Sequence, residues 1–288
     1  MTQDRAKKAS ISLVPTDADL VAQSDYIVSI VPPKDALATA ERIIGALHEN
    51  PKQSGSSPLY YLDLNAIAPS TAKEIGSQLS KFGEAIRFID GGIIGGPPRQ
   101  TDASQAREDF EKWYRPSIVL SGPNKLSDAP LDGAHLADLL HTKHVGEDVG
   151  TASGLKCCYA SLTKGFTALA IQSFSTAARL GVLEELRTEI RNSNPASETR
   201  AIRGLTGMPP KAGRWVKEMQ EIGKTHREAG GWQGAPRDGN TEGSIFEEIA
   251  EVFRYVSEDT VLGKEHTDNR VRGKSAEDVV DAILESRK

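Results

Sequence analysis

From Thr16 to about Gly150, short apolar runs alternate with helical patterns. The runs at 26–31, 59–64, 86–89 and 117–121 are rich in β-branched and aromatic residues, which predicts four strands. Between them lie a helical segment with Asp17 at its N-cap, a helix over 35–48, and another opened by Pro69-Ser70-Thr71, where proline suits a first turn. Strands alternating with helices predict a sheet of parallel strands joined by crossover helices.

After Gly150 the β pattern stops. Leu155, Tyr159, Leu162, Phe166, Leu169 and Phe174 recur at helical spacing, which predicts one helix reaching about residue 189. At about 1.5 Å per residue it would exceed 50 Å, long enough to join two domains or to pack against a second subunit. Further helices are predicted at 198–205, 210–229, 243–255 and 275–287, with a Gly/Pro/Asn-rich loop at 230–240. The expected architecture is an α/β Rossmann-like domain over 1–149 and an all-helical domain over 150–288, joined by the long helix.

The chain has 288 residues, a length that suits two domains. Its formal net charge of -5 leaves no basic surplus for a phosphate backbone, which argues against nucleic acid. Cys157 and Cys158 are adjacent and cannot staple distant segments, which fits a reducing compartment and a role as small packing residues. No apolar run approaches the roughly 18 residues of a membrane span, and the N-terminus lacks a secretory pattern, so a cytoplasmic protein is expected. His141 and His144 have no further ligand at metal-binding spacing, so no metal is expected.

A dinucleotide-binding half opens with a strand, a G-x-G-x-x-G turn and a helix. This sequence has no such turn, and the glycines at 91, 92, 95 and 96 have another spacing and follow the third predicted strand. Four segments nevertheless occur in a telling order: SDYIVSIVPPKDA, YYLDLNAIAPSTAKEI, FIDGGIIGGPP and VGTASGLKCCYASLTKG. They resemble, in turn, the later cofactor-domain strand, the strand-turn-helix, the substrate loop and the lysine helix of the β-hydroxyacid and 6-phosphogluconate dehydrogenase superfamily. The helical half, with PPKAGRWVKEMQEIGKTHREAGG, is similar to the C-terminal domain of phosphogluconate-dehydrogenase-like proteins.

The resemblance implies an NAD(P)-dependent oxidoreductase acting on a small hydroxyacid or a related carbonyl or imine. It places Lys156 at the catalytic lysine, where burial at a domain boundary would ease proton exchange; the alternative is a solvated helix lysine. Gly95 and Gly96 match the paired glycines whose amides bind the substrate, or else form a plain turn. Tyr159 and Lys164 are candidate substrate donors, because Ala160 stands where the family carries Asn; otherwise they are a packing aromatic and a surface lysine. Ile94 replaces the family's serine, which favours a bulkier or less polar substrate. Val31, Pro32 and Asn65 lie where the family's chain passes the cofactor, and Lys217 falls on a looser K-D-L match; strand stop, cap and turn roles are the alternatives.

The resemblance also implies that the first strand, phosphate loop and next strand are missing, since too few residues precede Thr16 to hold a βαβ unit of about 30. Two expectations follow: a dehydrogenase using NADP or NAD on a small-molecule substrate, or a catalytically inactive truncated relative serving as a dimeric binding or structural protein. In either case the apolar face of the long helix predicts a homodimer through the helical domain.

Overall fold

The computed structural model describes residues 2–51, 57–101, 113–232, 236–237, 241–242 and 244–287. The chain divides into two compact units at Lys156/Cys157.

In the first unit the strands β1 (Tyr26–Ser29), β2 (Leu59–Asp63), β3 (Ile86–Ile94), β4 (Arg99–Gln100), β5 (Trp113–Tyr114), β6 (Ser117–Ser121) and β7 (Thr142–His144) accompany helices α1 (Thr2–Lys8), α2 (Asp17–Gln23), α3 (Ala36–Glu49), α4 (Pro69–Leu79) and α5 (Gly133–Leu139). The main sheet has the order β1-β2-β3-β6-β7. Every residue of β2 is buried, as a strand covered on both faces requires. Leu59 and Tyr61 face a core shared with Ala40, Ile43, Ile75 and Leu79, whereas Tyr60 and Leu62 face a second core with Ile118, Leu120 and Leu126.

The expected all-parallel sheet is corrected here: β1, β2 and β3 are parallel, but β6 runs antiparallel to β3. After β3 come the small β4/β5 ladder, Arg99 opposite Tyr114, and then β6, which pairs with β3. β3 continues to Ile94, past the predicted end at 89, because Gly91 and Gly92 pair within the strand. Thr16, not Asp17, caps α2, its hydroxyl accepting from the Asp19 amide at 3.0 Å. α5 and β7 are too short, and β7 too polar, to carry a periodic signal. Most of the charged run after Gly96, at 102–112, and much of the glycine-rich loop after Gly230 lie outside the described residues.

The predicted long helix is two helices. α6 (Thr151–Leu180) ends at Gly181, whose φ of +74° closes the helix in the left-handed region, and α7 (Leu183–Ser193) follows. α8 (Pro195–Gly207), α9 (Ala212–Glu228), α10 (Ile245–Glu258) and α11 (Ala276–Glu285) complete the helical unit. Asn194, Ser244 and Ser275 cap α8, α10 and α11 with side-chain oxygens. Phe174, Leu205, Met219, Phe253 and Val279 form its core, and Trp215 meets Phe253 edge-on at 5.0 Å. Among the described residues no helix is long and apolar enough to cross a membrane.

The start of α6 is anchored to the sheet by one carboxylate. Asp90 on β3 is fully buried and accepts from the amides of Gly150 and Ser153, at 3.0 and 3.1 Å, and from the hydroxyls of Ser153 and Ser121. Burial pushes its carboxyl up, against the pull of these four donors and of the helix N-terminus beside it. Asp90→Ala would leave those donors buried without an acceptor, and a loss of about 3–5 kcal/mol in urea denaturation is expected.

Candidate functional site

Ser29 and Asp63 end β1 and β2, and Asp90, in register with them, lies midway along the adjacent parallel strand β3. Open α/β sheets present their ligand sites at this edge. Asn65, just past β2, is buried with both ends of its amide engaged. Its Oδ1 accepts from the Val31 amide at 2.7 Å, and its Nδ2 donates to Ser29 Oγ and Asp63 Oδ2, each at 2.9 Å. Asn65 therefore sets where the chain leaves β1. Pro32 follows in extended conformation without an N–H to offer, and Ile30 beside it is 61% exposed.

β3 runs four residues beyond this register, and there Lys156 meets it. A Cβ on Gly92 would lie 2.8 Å from the Lys156 Cβ, so glycine is what allows α6 to approach so closely. The Lys156 amine donates to the Ile93 carbonyl. Two residues on, Gly95 has φ of +123°, outside the range of ordinary side chains, and the Tyr114 hydroxyl lies against it. The Gly96 amide donates to that hydroxyl at 3.3 Å. The structure thus sets Lys156 against Gly92 and Ile93 of β3, with Gly95 and Gly96 just beyond, and adds at those glycines Tyr114, which the sequence did not single out. Asp90 and Gly92 were also missed as site-builders, although the D-G-G triplet ending an apolar run was a usable signal.

The remaining candidates lie in the helical unit. Tyr159 is 44% exposed on α6. Lys164 is buried, ion-paired to Glu218, with its amine 5.5 Å from the centre of the Trp215 ring. Ala160, on the same helix face, is buried. Lys217 pairs with Glu221 at 3.2 Å one turn along α9. Cys157 is buried, its thiol pushed up to about 11 chiefly by burial, whereas Cys158 is exposed. Along α6, a groove of about 1100 Å³ is lined by Leu162, Phe166, Leu169, Trp232 and Ile245 among others.

Residues 177–256 match the family described as a domain of unknown function, DUF1932. An uncharacterized 28.5 kDa protein of Methanothermus fervidus is 28% identical over 187 residues, which make up 64% of this chain and 61% of that protein. A conserved protein of unknown function, described as structurally similar to 3-hydroxyacid dehydrogenases, superposes with a TM-score of 0.55 at 22% identity, over 89% of this chain and 83% of its own. The 3-hydroxyisobutyrate dehydrogenase of Mycobacterium tuberculosis, solved with L-serine, does so with a TM-score of 0.56 at 13% identity, over 96% and 84%. This is the 3-hydroxyacid dehydrogenase fold. The sheet edge carrying Asn65 and the turn carrying Gly95 both lie in the α/β unit.

Burial displaces the titration of the Asp63 carboxyl into an accessible pH range. Burial raises it to about 6, against donation from the Asn65 amide groups and with some repulsion from Asp90. Its proton is held more tightly in the folded state than in the unfolded chain, where the value is about 4. Its contribution to stability is therefore greatest below pH ~4 and falls as pH rises to about 6. Asp63→Asn removes that dependence. Relative to the parent, the variant should gain roughly 2–3 kcal/mol between pH ~4 and ~7 in urea denaturation.

Proposed function

We propose that this protein is an NAD(P)-dependent oxidoreductase that moves a hydride on a small hydroxyacid, or on a related carbonyl or imine, with Lys156 as proton donor and acceptor. The observation that carries this reading is the Lys156 amine on the Ile93 carbonyl, beside the Gly95-Gly96 turn, in a 3-hydroxyacid dehydrogenase-like fold.

The residues at the carboxyl ends of β1 and β2 fit the nicotinamide end of NADP or NAD. Exposed Ile30 and Pro32 offer an apolar surface to a flat ring, at a strand end held in place by Asn65. The sequence holds no glycine fingerprint for the diphosphate. When bound, the nicotinamide supplies or accepts the hydride. Lys156 takes up the substrate's hydroxyl proton at Nζ in the oxidative direction and returns it in the reductive one. The Ile93 carbonyl orients that amine, the missing Cβ of Gly92 admits its stem, and Ile94 gives the pocket an apolar wall.

The exposed Tyr159, Leu162 and Leu169 along the α6 groove support a homodimer through the helical unit. Cys157 and Cys158, neither of them in a disulfide, suit a reducing, cytoplasmic setting.

Lys156→Ala should lower kcat by about 10²–10⁴-fold while leaving NADPH affinity, read by fluorescence titration, within about twofold. Turnover by the variant at the parent rate would remove the assignment. Failure of the parent to bind NADPH or NADH at about millimolar concentration would favour the inactive binding-protein reading instead. Light scattering at micromolar concentration should give a dimer mass for the parent and a monomer mass for Leu162→Glu, which puts a charge on the apolar face.

A further inference from the structure

The turn that receives the substrate in this reading carries two side chains that the reading does not use. The Tyr114 hydroxyl already accepts from the Gly96 amide and fills the space over Gly95 where a side chain would otherwise begin. Arg99 lies across the other face of the turn. Its guanidinium carbon is 4.1 Å from the centre of the Tyr114 ring, and one of its terminal nitrogens is 4.0 Å from where a Gly96 Cβ would stand. The two residues are locked opposite each other by the β4/β5 ladder.

A guanidinium stacked on an aromatic face spends its flat side on the ring and keeps its in-plane N–H donors for other partners. Among the described residues no carboxylate is paired with Arg99, which is exposed. The phenol, by accepting from Gly96, has its own O–H left to donate. The turn therefore presents an O–H and a guanidinium fork in place of a bare backbone amide, one hydrogen-bond length further from the chain. A planar fork beside a neutral donor is the arrangement that recognises a carboxylate.

We infer that Arg99 and Tyr114 determine substrate specificity by receiving the substrate's carboxylate, and that Tyr114 moves this anion outward from the glycine amides. The inference rests on the oxidoreductase reading and narrows it: the substrate class is anionic, with its carboxylate set further from the reacting carbon than direct seating on Gly96 would allow. Ile94 fits the same picture, since an apolar wall suits the additional carbon between the two ends.

The test uses the intact chain with glycine amides and arginine Nε labelled for NMR, titrated with sodium 3-hydroxybutyrate and with its uncharged methyl ester. The acid is expected to shift the Gly96 amide and Arg99 Nε signals, and the ester neither. Arg99→Gln should weaken the acid at least about tenfold. Tyr114→Phe should free the Gly96 amide and enlarge its response to the acid. Equal shifts by acid and ester, unchanged affinity in Arg99→Gln, or no response at about 50 mM acid, far above the roughly millimolar affinity open to so small a ligand, would overturn the inference. The titration needs neither cofactor nor turnover. An anion response without Lys156-dependent turnover retires only the enzyme reading, and turnover on hydroxyacids without an Arg99 response retires only this one.

Discussion

The position of Lys156 depends on how closely a helix can lie on a strand. α6 reaches β3 because Gly92 has no Cβ, and it stays there because Asp90, two residues earlier on the same strand, gathers two backbone amides and a serine hydroxyl from the helix start. Sterics and electrostatics act at neighbouring points on one strand. Without Gly92 the helix would stand off from the sheet; without Asp90 its first amides would be buried unpaired. The Ile93 carbonyl then finds the lysine amine already within reach.

A second carboxylate works in the same register for a different purpose. Asp63 orients Asn65, and Asn65 ties the departing β1 chain to the end of β2 through the Val31 amide. Both acids are buried, and each is satisfied by donors that its own position creates. A fully buried carboxylate is costly to hold ionised, so the Asp63–Asp90 register carries an electrostatic cost that the apolar positions of the sheet do not. Such a cost is expected where an edge must remain shaped for a ligand while the strands behind it are packed.

Much of the fold was legible because hydrophobic pattern reports burial. The fully buried β2 and the helical second half follow directly from it. What failed was what pattern cannot report. Strand direction depends on the route between strands, which apolar periodicity does not report, so the antiparallel pairing of β6 with β3 was not legible. Gly181 was lost inside a continuous apolar rhythm, although glycine after a helix-length run is a recognised stop. At the site, residues with a motif lie along one stretch of chain: Lys156 meets β3 at Gly92 and Ile93, and Gly95 and Gly96 follow that strand. Tyr114 reaches those glycines from a strand that was not predicted and lies eighteen residues beyond Gly96, a separation that no local spacing rule spans.

Lys164 and Lys217 show why residue type alone overcounts candidate donors. Both are lysines on helix faces, at positions that invite a ligand. Lys164, however, is buried against Glu218, which also faces Arg214 at 3.4 Å, and Lys217 is held by Glu221. A buried ion pair of this kind adds little net stability over well-packed apolar residues, but breaking one half leaves an uncompensated charge, so it penalises other alignments of α6 on α9. Lys156 donates to a strand carbonyl, that of Ile93, a dipole that directs the amine toward β3. Partner chemistry, more than burial or exposure, thus distinguishes lysines that pair helix with helix from one that a strand carbonyl orients.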